Sequence, residues 1–195
     1  MSKAILFLWL LLVSYSVNSQ KPTCSCSLQG TLSAGLAAGA SKTKPLFQAS
    51  GGIKSGRYFA GIGGGVDLYR FKSIPVFADA RWDFGRSGEG FLYGNLGYNF
   101  PFSNHSESNW FMDNWKTTDE FKGGYYFDAG IGYRIYLKGA GRLLVSAGFS
   151  QKRISNVTGF TYPCLVEPCP EEIYKYRYDL GRIVAKISWE LSGKR

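Results

Sequence analysis

Few residues in this 195-residue chain are of a type that does chemistry. The single histidine, His105, is followed by Ser106 and Glu107, so three residue types of a hydrolase triad are neighbours. A triad needs side chains that converge, whereas neighbouring side chains of an extended segment point to opposite sides. The run therefore predicts a solvated loop histidine. Asp79 and Asp83 share one face of an extended segment and could be general acid and base or metal ligands, but Arg81 lies between them on that face. An ion-pair network is the simpler expectation. The glycines at 61, 63, 64 and 65 lack the lysine-serine pair and the following helix of a phosphate loop. No catalytic residue, cofactor, bound metal or nucleic-acid partner is expected.

The elements that hold these residues begin with an export signal. Residues 1–3 are short and basic, 4–13 are an unbroken apolar run, and 14–19 are small and polar with Val17 and Ser19 in the cleavage positions. This pattern predicts a secretory signal peptide at 1–19 and a single mature domain at 20–195. A membrane-spanning helix needs about 20 apolar residues, roughly twice this run. Lys21, Pro22 and Thr23 before Cys24 are not the apolar, small stretch that lipidation requires. The formal charge is +9, or +8 without Lys3, and acidic lipid head groups are compatible neighbours. With 25 glycines, 13 tyrosines and 14 phenylalanines, composition favours short strands and tight turns.

Beyond residue 27 the hydrophobic pattern has period two, in eight segments: 28–41, 46–54, 58–71, 75–84, 91–100, 123–137, 142–152 and a last one at 182–191. In 123–137, Tyr125, Phe127, Ala129, Ile131, Tyr133, Ile135 and Leu137 share one face, and Asp128 and Arg134 stand with glycines on the other. Segment 75–84 sets Val76, Ala78, Ala80, Trp82 and Phe84 against Asp79, Arg81 and Asp83, with Phe77 as its apolar exception. In 142–152 the apolar face is Leu143, Val145, Ala147 and Phe149, opposed by residues that include Ser150 and Lys152. In 182–191, Ile183, Ala185, Ile187, Trp189 and Leu191 oppose Arg182, Lys186, Ser188 and Glu190.

Any one such strand also fits a soluble sandwich. The connections discriminate, because 85–90 and 138–141 are short while 101–122 and 154–175 are long, although 42–45, 55–57 and 72–74 are all short. Short periplasmic turns alternating with long outer loops, on an even number of strands, predict an all-β, eight-stranded antiparallel up-and-down transmembrane barrel. Charges facing a narrow lumen must pair, so Asp67, Asp79, Asp83, Asp128 and Glu190 are expected to meet Arg81, Arg134, Lys152, Arg182 and Lys186. Glycines 61, 63, 65, 130, 132 and 148 would make room for those long side chains.

In an oxidising compartment the four cysteines allow three pairings. A wall of about 25 Å between Cys24 and Cys26 on one side and Cys164 and Cys169 on the other favours a Cys164–Cys169 bridge. The same separation, with spacings that are not C-x2-C, opposes a zinc site.

Three segments carry a resemblance: YFAGIGGGVDLY from Tyr58, IPVFADARWDF from Ile74 and GGYYFDAGIGYR from Gly123. They resemble strands of the small outer-membrane β-barrel family, the OmpA/OmpX-like porin superfamily, and the similarity covers nearly the whole mature chain. The resemblance implies the fold and an outer-membrane location, and brings no catalytic residues. Family members often end on an aromatic residue, whereas residues 190–195 follow Trp189 here.

The partners expected are outer-membrane lipid and lipopolysaccharide, the barrel assembly machinery, and an extracellular ligand held by the long loops. Trp110, Phe111, Trp115 and Phe121 are the candidate loop contacts, or else an aromatic girdle at the outer interface. The function expected is non-enzymatic, in envelope structure, adhesion or surface recognition. Alternatives are a lipid-modifying enzyme of the same membrane and a soluble lipocalin-like ligand binder, which would carry polar side chains outside.

Overall fold

The computed structural model describes residues 26–40, 42–102, 117–137, 141–161 and 171–192. They form eight strands: β1(Cys26–Gly39), β2(Thr43–Ser55), β3(Tyr58–Asp67), β4(Ser73–Phe84), β5(Gly90–Pro101), β6(Thr117–Leu137), β7(Gly141–Thr161) and β8(Glu171–Ser192). Each strand pairs antiparallel with its sequence neighbours, and β1 pairs with β8 from Gln29↔Ser192 to Gly39↔Arg182, so the sheet closes into a barrel. Closure removes the two edges that an open sheet would leave with unpaired N–H and C=O groups.

Burial is inverted relative to a soluble protein. Leu28, Leu32, Leu36, Ile62, Leu96, Ile131, Ile183 and Ile187 are exposed on the outer surface, while Asp67, Asp128, Arg134, Lys152, Arg182 and Glu190 are buried within. Such a surface suits hydrocarbon and not water. The lipocalin alternative required the opposite arrangement. Both ends of the described barrel lie at the rim that carries the connections 56–57, 85–89 and 138–140; the opposite rim carries 40–42, 68–72, 102–116 and 162–170. The first is periplasmic and the second external by the loop rule for such barrels.

The expected boundaries change most at the outer rim. Residues 117–122, 154–161 and 171–175, expected in loops, belong to β6, β7 and β8. Their backbone groups are taken up by continued ladders, Thr117↔Phe160 in β6–β7 and Thr161↔Glu171 in β7–β8. These three strands have 21, 21 and 22 residues, against about 9–11 needed to cross the hydrocarbon. They therefore overrun the wall as a three-stranded extension. β3 in turn ends at Asp67, before the expected residue 71, and 68–72 folds across the outer mouth. Tyr69 is buried there with Ala37, Leu46, Leu180 and Val184, and Phe71 and Tyr178 pack on that cluster.

Phe77, the exception in its strand, faces the lumen, where its ring lies 5.7 Å from that of Tyr126. The lumen glycines make room mainly for rings and neighbouring backbone, not for the long charged chains expected. A Cβ on Gly63 would press on Phe77, one on Gly132 would enter the Phe91 ring, and one on Gly148 would meet the Tyr93 hydroxyl. Aromatic rings cannot bend away as a lysine stem can. Gly132→Leu is therefore expected to destabilise the barrel by about 1–3 kcal/mol, measured as a lower urea midpoint of the protein folded into lipid vesicles.

Candidate functional site: the lumen network and the outer rim

Alternation along each strand sends every second side chain inward, and in a barrel of eight strands those side chains fill the interior. Four charged groups follow one another along the axis. At the periplasmic end Arg134 grips Asp83 with two donors, Nη1 at 3.0 Å and Nη2 at 3.1 Å, while its Nε donates to Glu190 at 3.3 Å. Lys54 Nζ adds a bond to Asp83 at 2.5 Å and Arg142 Nη1 one to Glu190 at 2.6 Å. Two carboxylates thus bind three cations.

Further in, Arg81 meets Asp79 at 2.5 Å and donates to Thr31 Oγ1 and Ser50 Oγ, each at 2.8 Å, with its guanidinium 4.8 Å from the centre of the Phe59 ring. Arg81 does not bridge Asp79 to Asp83 as their shared face suggested; Asp83 is taken by Arg134 and Lys54. Around the middle, Lys186 Nζ donates to Asp128 Oδ2 at 2.7 Å and lies 4.1 Å from the Tyr93 ring centre. The hydroxyls of Tyr93 and Tyr126 donate to the same carboxylate at 3.1 and 3.3 Å, and Gln48 donates to Tyr126 at 2.8 Å.

Near the outer mouth Asp67 receives Arg182 at 2.5 Å and Lys152 at 3.1 Å. Lys152 also donates to the Phe71 carbonyl at 2.8 Å and to Ser73 Oγ at 3.1 Å, fastening the inward-folded 68–72 connection to β7. All ten expected lumen charges are therefore inside and paired. Lys54 and Arg142 were missed, although each has inward parity on its strand; they lie beside turns, where alternation is weakest. Tyr93, Tyr126 and Gln48 were missed because periodicity reads them as apolar or neutral spacers.

Little space is left. The cavity among Ser33, Gln48, Asp79, Asn95, Lys186 and Ser188 is about 30 Å³, room for on the order of one or two waters. Each of the five lumen carboxylates is held by at least one cation.

At the outer rim, Phe121 is not a loop residue: it lies in β6, with its ring 5.5 Å from Phe71, which in turn lies 5.1 Å from Tyr178. This cluster caps the mouth, with Arg70, at φ 54°, stacked 5.5 Å from the Tyr178 ring centre. On the outward face beyond the wall, Arg153 pairs with Asp179 at 2.6 Å. Its donors hold the Asp179 carboxyl below the usual carboxylate range. Trp110, Phe111, Trp115, His105, Cys24, Cys164, Cys169 and residues 1–19, the expected signal peptide, lie outside the described residues. Cys26 is disulfide-bonded, to a partner outside them.

Fold and inverted surface together define an outer-membrane-type β-barrel. No family model matches the chain, and neither does any curated protein. Among solved structures it is similar to the N-terminal barrel domain of Pseudomonas aeruginosa OprF, at 11% identity and TM-score 0.45, covering 85% of this chain and 97% of that one. It is also similar to the outer membrane protein OprG of the same organism, at 10% identity and TM-score 0.46, covering 86% and 96%. A third similarity is to the translocator domain of autotransporter NalP from Neisseria meningitidis, at 12% identity and TM-score 0.27, covering 96% and 94%. The barrel assignment stands on the chain's own strand pairing.

Removing one member of a buried pair leaves the other charge unsatisfied, at a cost of about 3–5 kcal/mol. Asp128→Asn should therefore lower the unfolding midpoint in lipid vesicles substantially. The double variant Asp128→Leu with Lys186→Met should recover most of the loss in the same measurement.

Proposed function

We propose that this protein is a non-enzymatic outer-membrane barrel whose work is structural or lies in adhesion and recognition at the cell surface. The observation that carries this reading is the division of the molecule in two. The lumen is occupied along its length by paired charges and aromatic rings, whereas β6, β7 and β8 continue past the wall by far more than a membrane crossing needs. A packed interior supports neither solute passage nor a reacting centre. Strands that overrun the wall offer a firm sheet to the exterior, from which the connections 102–116 and 162–170 spring. Trp110, Phe111 and Trp115 in the first of these, and a Cys164–Cys169 bridge in the second, would supply a contact surface held by that sheet. Lipid and lipopolysaccharide around the wall and the barrel assembly machinery are its expected partners.

Four measurements test this reading. The protein should require detergent for extraction, shift in gel migration between unboiled and boiled samples, and conduct negligibly in planar bilayers; sustained porin-like conductance would refute the packed lumen. Trp110→Ala with Trp115→Ala should reduce adhesion of cells displaying the protein at equal surface density, and unchanged adhesion would leave only the structural role.

A further inference from the structure

We propose that the outward face of the β6–β8 extension binds the phosphate groups of an outer-leaflet lipid, an inference that rests on the outer-membrane reading above. The site is built in rungs from the edge of the wall. Tyr98 and Tyr125 pair across β5 and β6 at that edge, where amphipathic rings favour the interface. On the next rung Arg153 stacks over Tyr125 at 4.7 Å and is neutralised by Asp179. Beyond it Arg177, Ser155 and Lys122 form one row across β8, β7 and β6, and then Lys175, Val157 and Glu120 form another.

Directly opposed residues have Cβ atoms about 5 Å apart, so Arg177 and Lys122 stand on the order of 10 Å apart with a small hydroxyl residue between them. Lys122 reaches Glu120 at 3.4 Å with both side chains more than half exposed, a weak pairing. Among the described residues, neither Lys175 nor Arg177 has a carboxylate within ion-pair distance. Cations therefore outnumber anions on this face, and their alternation partners Phe121 and Tyr178 point to the other side, toward Phe71.

Height and orientation select the occupant. The Arg177 and Lys175 rows lie two and four residues beyond the Arg153–Asp179 rung, roughly 7 and 13 Å along the strands and less along the membrane normal because the strands tilt, within the head-group layer and at its outer edge. The same face continues downward as Phe127, Phe149 and Ile183, exposed to hydrocarbon. A lipid whose chains lie on those residues presents its head group to Arg177, Lys175 and Lys122. A soluble anion has no such tether. Charged donors and phosphate oxygens then form charge-assisted hydrogen bonds.

The test is native mass spectrometry of the full mature protein in micelles, incubated with bisphosphorylated lipid A or with the same lipid stripped of its phosphates. The wild type should retain the phosphorylated lipid about tenfold better, and the triple variant Lys122→Gln, Lys175→Gln, Arg177→Gln should lose that margin. Its heat-shifted migration should stay normal. Equal retention of both lipids, or an unaffected triple variant, overturns the site while leaving the barrel reading intact. Displacement of the lipid by millimolar inorganic phosphate would show a free-anion site and also overturn it. A wild-type protein released by salt alone, with no heat shift, would instead bring down the outer-membrane reading, and this site with it.

Discussion

Everything in this molecule follows from the pairing of β1 with β8. Hydrocarbon offers no partner to a backbone N–H or C=O, so a sheet can cross a membrane only when it has no edge. The ladder from Gln29↔Ser192 to Gly39↔Arg182 supplies the last row of bonds. Once the sheet is closed, each residue must face either lipid or lumen. Eight strands leave a lumen too narrow for bulk water, so inward charges must pair with one another.

That second consequence explains the composition of the interior. Asp67, Asp79, Asp83, Asp128 and Glu190 each meet at least one cation contributed by another strand or by a neighbour on the same one. Lys54 with Asp83, and Arg134 with Asp83 and Glu190, each skip one strand, and Lys152 with Asp67 joins β7 to the opposite strand β3, so the pairs tie separate parts of the sheet together. Removing Arg134, which serves both carboxylates, or Asp128, the carboxylate of Lys186, would leave a buried charge short of its partner, so the network penalises any other register. The aromatic rings of Phe77, Phe91, Tyr93 and Tyr126 fill what the ion pairs leave, over glycines that have no side chain to obstruct them.

The outer end obeys different physics. Beyond the tyrosines of the girdle, water is available and closure is no longer obligatory, so only β6, β7 and β8 continue. A register shift between Gly123 and Tyr126 marks the place where the extension leaves the barrel wall. The 68–72 connection folds inward at the same level, fastened by Lys152 and covered by Phe71, Phe121 and Tyr178. The aromatic cluster over the mouth and the projecting sheet together put the outward faces of β6, β7 and β8 in reach of lipid head groups.

Much of this is written in the alternation of residue types. Period two tells which residues share a face; the alternation of short and long connections then points to the barrel, and a narrow lumen to pairing among the ten charges on the inward faces. Strand parity even contains Lys54 and Arg142. Alternation has no term for partner choice, which depends on the stagger of strands around a closed ring; hence Asp83 bonds Arg134, 51 residues away, and not Arg81, two residues away. It also cannot tell a strand that ends at the wall from one that overruns it, since polar residues in water read as loop whether or not a neighbouring strand takes up their backbone bonds. Sequence by itself determined which face each side chain shows; closure, register and strand length, set by hydrogen bonding between distant segments, were decided only in three dimensions.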